Sequence, residues 1–214
     1  MRPVPCRIAV SHGRDQRVDN RRKLFQRRRS DSSLTDNDIR RVFRIIETTR
    51  HAERNRLAFV LSIFGGMRVG EIAAVKIKDV ANQYGEVRRE IKLTSEQTKG
   101  SQGRSVILSG RVLKEIEAYL KLIPFAHPDW PLFRSQRGQT FSSLTLSMLF
   151  KEIYELAGIR TSSHSGRRTF ATRLNAKGVG MRTIQKLMGH RHIGTTALYC
   201  EVSEDVMRNA VELI

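Results

Sequence analysis

Apolar residues at helical spacing begin just after Leu34. Ile39, Val42, Phe43, Ile45 and Ile46 share one face of a helix read to about Thr49, and Thr35 with Asp38 has the form of an N-cap and an acidic third position. A second helix is expected from about Ala52, where Leu57, Phe59, Val60, Leu61, Ile63 and Phe64 are apolar, up to Gly65-Gly66. A short helix then carries Arg68, Glu71, Ile72 and Val75. The period changes to two where Val87, Arg89, Ile91 and Leu93 alternate with Arg88, Glu90 and Lys92, which predicts a strand with a charge, Arg89, on its apolar face. Val106 and Leu108 mark a second strand, and the polar run 95–103 between them predicts a hairpin or loop tip.

Leu113, Ile116, Leu120 and Ile123 predict a helix stopped by Pro124. Residues 124–141 read as a loop that Trp130 and Phe133 pin to the core. Helices are then expected from Ser142 or Ser143 to Leu156, over 166–177, over 181–188, and from Ser203 to about Leu213. Ala157-Gly158, Gly178 and Gly180 separate them, and no internal repeat is visible. The chain therefore reads as α+β, mainly α, with a small antiparallel β-sheet.

Charge narrows the partner. The 214 residues carry a formal net charge of +18, which points to a polyanion, most simply nucleic acid. Residues 1–30 hold ten basic and two acidic side chains with poor apolar periodicity. They read as a flexible arm, with residues 1–33 set apart from a folded domain over 34–214. Arg21, Arg22, Lys23, Arg27, Arg28 and Arg29 are its candidate DNA contacts, neutralising backbone phosphates. Cys6 and Cys200 have neither a paired nor a metal-binding spacing. There is no long apolar run and no signal-peptide core. The expectation is a cytoplasmic protein on the bacterial nucleoid, with no metal, no cofactor and no membrane contact.

The stretch from Ser163 to Tyr199 concentrates the candidate chemistry. It opens with His164-x-x-Arg167, turns at Gly189-His190 and closes on Tyr199. Cutting a phosphodiester without a metal needs cations for the charge on the non-bridging oxygens, a nucleophile, and a proton donor for the leaving oxygen. Guanidinium groups suit the first role because they are planar, permanently charged and bidentate. Tyrosine can attack phosphorus covalently, but its free pKa of about 10 means that it needs help losing its proton. Were a helix to start at His164, that side chain and Arg167 would share a face. Arg68 follows two glycines at a helix start, where backbone N–H groups also favour an anion.

Four blocks, in order, resemble the tyrosine recombinase (phage-type integrase) family over roughly Leu34 to the C-terminus. They are Gly65 to Ile72, Thr98-Lys99-Gly100, His164 to Thr172, and Leu187 to Tyr199. The resemblance implies the fold of that family's catalytic domain. It also implies that Arg68 and Arg167 clamp the scissile phosphate, Lys99 protonates the leaving 5′ oxygen, and His164 handles the tyrosine proton. His190 hydrogen-bonds the phosphate, and Tyr199 attacks to form a 3′-phosphotyrosine link, without metal or ATP. Lys92 is the alternative to Lys99. Glu71 reads either as a support that orients the arginine and histidine or as a solvated helix acid. Arg168 and Arg191 are further DNA contacts.

Family members usually carry a helical DNA-binding domain ahead of the catalytic one, whereas 33 residues precede Leu34. The expectation is a short, catalytic-domain-only member whose basic arm replaces part of the missing grip. Gly166 stands where the family more often has leucine, which is expected to weaken local packing. The resemblance also implies double-stranded DNA as partner and a homotetramer assembled on DNA from monomers, and it leaves room for an accessory DNA-binding protein. The segment from Cys200 to Ile214 would dock either on a neighbouring subunit or on its own domain. The competing reading is a catalytically silent DNA-binding regulator of the same fold.

Overall fold

The computed structural model describes residues 33–98, 102–123, 127–135, 140–199 and 204–212. Helix α1 (Asp36–Glu47) starts as the sequence predicts. The Thr35 hydroxyl accepts from the Asp38 N–H, and the Asp38 carboxylate accepts from the Thr35 N–H, so two N-terminal donors are satisfied reciprocally. Ile39, Val42, Phe43 and Ile46 face inward. Helix α2 (Ala52–Gly65) is polar in its first turn and a half, but every residue from Leu57 to Ile63 is buried, which makes it the central helix. Gly66 ends it at φ +62°, with the Met67 N–H returning to the Leu61 carbonyl at 3.2 Å.

Helices α3 (Val69–Ala74) and α4 (Ile77–Val80) lead into strands β1 (Glu90–Leu93) and β2 (Arg104–Ile107), an antiparallel pair. The first strand is shorter than the alternation predicted. Val87 forms only an isolated bridge with Ala81, so the ladder begins after Arg89, which stays exposed and is not on a core face. In the ladder Ile91 faces Val106 and Leu93 faces Arg104, with Ile91, Leu93 and Val106 buried. Helix α5 (Gly110–Leu120) buries Val112 and Ile116. Of the two aromatics expected to pin the following loop, Phe133 is buried. Trp130 is 42% exposed, its ring covered by the Arg134 guanidinium at 4.4 Å, and Leu132 fills the anchoring role instead.

Helix α6 (Ser143–Leu156) starts at Ser142, whose hydroxyl accepts from the Thr145 N–H. It packs Phe150 on Phe59, with stacked rings 4.0 Å apart and Tyr154 edge-on. Helices α7 (Ser165–Ala176), α8 (Met181–Met188), α9 (Ile193–Ala197) and α10 (Glu204–Val211) complete the described chain. The short α4 and α9 have no sequence counterpart in the apolar pattern, because four or five residues show no period. Against expectation, Gly166 tightens rather than weakens its surroundings. A Cβ there would overlap the Ser62 hydroxyl and stand 3.1 Å from Ile63 Cγ1, so the bare glycine lets α7 lie close on α2.

Two apolar clusters result. The larger gathers α1 to α6. The smaller holds Ala171, Ile184 and Met188, with Phe170, Leu174, Val179, Met181 and Tyr199 against it. Polar side chains stitch the seam between them, and the candidate site lies on that seam. Among the described residues, no helix is long and apolar enough to cross a membrane.

Candidate active site

Glu71 is the hub of the seam. It stands in the first turn of α3 and is 1% exposed, so it is not a solvated helix acid. A carboxylate that deep needs donors. Its oxygens accept from the Arg68 N–H at 2.7 Å, Arg68 Nη1 at 2.7 Å, Arg104 Nε at 2.9 Å and Arg104 Nη2 at 2.7 Å, while Arg167 Nη1 stands 3.8 Å away. Burial pushes the Glu71 carboxyl up, but hydrogen bonds and charge from Arg104, then Arg68 and Arg167, outweigh it and bring it to about 2. The Arg68 N–H, expected from the sequence to face an anion, is thus occupied by Glu71.

The arginines are held by helix ends. Gly189 closes α8 at φ +60°, with the His190 N–H on the Gln185 carbonyl, which leaves the last carbonyls of that helix for other donors. Arg167 Nη2 donates to Met188 O, and Arg104 Nη1 donates to Leu187 O at 2.9 Å. Arg68 Nη2 donates to Gly189 O at 3.3 Å. At the end of α2, Gly66 O accepts from Arg167 Nη1. Guanidinium groups at helix C-termini also meet the negative end of the helix dipole. Burial, followed by repulsion from Arg68 and Arg104, brings Arg167 down to about 9, which leaves it charged at neutral pH.

His190 adjoins this group. Its Nδ1 lies 2.9 Å from the Thr196 hydroxyl, and Thr196 is fully buried in α9. Burial, then Arg167, Arg68 and Arg104, lower its pKa to about 4, so the ring is neutral near pH 7. The Tyr199 ring is half-buried, with its centroid 6.1 Å from that of His190 and the Arg168 guanidinium 5.7 Å above it. The arrangement offers a cationic, preorganised cradle beside a phenol, which suits an oxyanion that gains charge during reaction.

Arg68, Glu71, Arg167, His190 and Tyr199 therefore come together from separate segments. His164 is the N-cap residue of α7, exposed, one turn before Arg167. Arg191 is exposed beside His190. Lys99 lies outside the described residues, as do Arg21, Arg22, Lys23, Arg27, Arg28 and Arg29. Lys92 is exposed opposite Ser105, on the face of the sheet away from Arg104. Arg104 was not among the residues expected from the sequence. The signal was present: it alternates with Val106 and Leu108, and a charge at the buried end of such a pattern requires a buried partner. Among the described residues, no group of three His, Cys, Asp or Glu side chains is placed to hold a metal ion.

The phage integrase family model matches residues 32–205. The tyrosine recombinase XerA of Thermococcus onnurineus is 32% identical over 185 residues, covering 84% of this chain and 61% of the relative. The tyrosine recombinase XerC of Caldanaerobacter subterraneus is 33% identical over 165 residues, covering 74% of this chain and 44% of the relative. The chain thus spans less than two thirds of the length of these relatives. The crystal structure of XerA recombinase superposes with a TM-score of 0.69 at 27% identity, covering 85% of this chain and 64% of that one. The Tn1549 transposon integrase in complex with transposon right end DNA shares the fold, with a TM-score of 0.67 at 20% identity, covering 85% and 65%.

Proposed function

Because this chain belongs to the phage integrase family of tyrosine recombinases, we propose that it is a site-specific DNA recombinase working through a covalent 3′-phosphotyrosine intermediate. The supporting observation is the gathering of Arg68, Arg167 and His190 around one buried carboxylate beside Tyr199. Arg68 and Arg167 bind the scissile phosphate, and neutral His190 donates to it. The Tyr199 oxygen attacks phosphorus as His164 takes its proton, and the bond to the 5′ oxygen breaks as Lys99 protonates that oxygen. Rejoining reverses each step: a 5′ hydroxyl attacks, and the phenol leaves. The phosphotyrosine bond conserves the energy of the broken strand, so no nucleotide is consumed. Lys92 is disfavoured as the proton donor because it stands on the far face of the sheet.

Residues 34–214 are the catalytic domain in this reading, and residues 1–33 are an arm on backbone phosphates. Arg168 and Arg191 add DNA contacts, and four copies assemble on two sites. The decisive test is a nicked suicide duplex incubated with purified protein. Expected is an SDS-stable adduct that Tyr199→Phe abolishes while DNA binding stays within about threefold, as for loss of a group used only in the transition state. DNA binding without an adduct in the unaltered protein would favour the silent regulator. Deleting residues 1–30 flattens the salt dependence of binding if the arm meets phosphates, and an unchanged slope removes that role.

A further inference from the structure

We propose that Arg104 is a positioning residue that locks the Glu71 carboxylate and the Leu187–Gly189 turn into one frame, so that Arg68 and His190 reach the scissile phosphate together. This rests on the recombinase reading for its last clause only. Arg104 heads β2, at the end of the ladder nearest the hairpin tip, and its side chain is 9% exposed. All three of its nitrogens donate inward: Nε and Nη2 to Glu71, Nη1 to Leu187 O, and Nη2 also to Gly66 O at 3.4 Å. With four bonds from five N–H groups, it is a strut rather than a phosphate clamp.

Its stem matters as much as its head. A Cβ on Gly189 would overlap Arg104 Cδ, so the turn that carries His190 packs its bare backbone on this side chain. Arg104 thereby joins strand β2, the α3 turn bearing Glu71, and the end of α8. Lysine, a point donor without a fork, cannot meet a carboxylate and two carbonyls at once. A buried ion pair is by itself poor support for a fold, since apolar replacements are commonly neutral or better. That leaves orientation as its function.

The test uses the full chain as Arg104→Met, Arg104→Lys and the double variant Glu71→Gln/Arg104→Met, which removes both members of the Arg104–Glu71 pair. Thermal melts and duplex binding establish that each is folded. On the nicked duplex, Arg104→Met and Arg104→Lys are expected to bind within about threefold of the unaltered protein but form adduct about a hundredfold more slowly, the cost typical of small misplacement. The double variant is no slower than the slower single variant, because both act through one link. A readout independent of cleavage is the ring titration of His190 by NMR without DNA. The groups facing that ring are Arg68, Arg104, Arg167, Glu71, Tyr199 and the Thr196 hydroxyl, and loss of Arg104 moves its titration to higher pH. Wild-type adduct rates in both single variants, slow adduct explained wholly by lost binding, or an unmoved His190 would each overturn the proposal. No adduct from the unaltered protein, with the His190 titration displaced in Arg104→Lys, which keeps the charge, would sink the recombinase reading and leave the frame standing.

Discussion

Replacing Glu71 by glutamine removes the charge that three arginines surround, and the cost follows from the site. Its carboxyl lies at about 2 in the folded protein against an ordinary value of 4.5. That difference corresponds to about 3 kcal/mol of stability at neutral pH, at roughly 1.4 kcal/mol per pH unit. Breaking a buried pair from one side commonly costs about 3–5 kcal/mol, which agrees. For a chain of this size the melting temperature should fall by roughly 6–12 °C. The sign sets the pH window. A depressed carboxylate stabilises above its unfolded value and loses that contribution as pH falls through 4.5 towards 2. Urea titrations of both proteins should therefore show a constant gap between pH 7 and about 5.5, narrowing to roughly half by about pH 3. A Glu71→Gln protein melting within about 2 °C of the unaltered one at pH 7 would refute the assignment of Glu71 as hub. So would a gap that does not change with pH.

His190 adds a second, higher window. Its lowered pKa means that the unfolded chain binds a proton that the folded chain resists, so stability should decline as pH falls from 6.5 towards 4, and NMR titration should find the ring neutral at pH 6. Thr35→Ala should cost about 1 kcal/mol by urea melt while sparing adduct formation, because the Thr35 hydroxyl bonds only to Asp38 in the first turn of α1. Gly166→Leu should destabilise by about 1–3 kcal/mol rather than improve packing, as α2 leaves no room for a side chain; a rise in melting temperature would contradict that close approach.

Long elements were legible because their period is. Helix α2 announced itself through Leu57 to Phe64, and the capping pair Thr35 and Asp38 placed the start of α1. Short α4 and α9 were not, because their ends are set by tertiary contacts: the Ile77 N–H on the Trp130 carbonyl, and Thr196 buried against His190. At the site, ordered motifs brought Arg68, Arg167, His190 and Tyr199 into view. Sequence spacing could not say that Glu71 is buried, since burial depends on which helix end closes over it. Nor did it reveal Arg104, whose partners lie 33 and 83 residues away in the chain.

The arginines are anchored mainly on main-chain oxygens at Gly66, Leu187, Met188 and Gly189. A carbonyl is present whatever the side chain, so the cradle depends on the path of the backbone more than on the identities along it. Laboratory selection would feel this indirectly. A library sorted only for soluble expression, with no DNA in the assay, would still retain Glu71 and Gly189, because their loss loosens the joint between the two apolar clusters. Such a screen would enrich for an intact reaction centre without testing a reaction. In the recombinase reading, changes of target preference would then have to come from exposed positions such as Arg191.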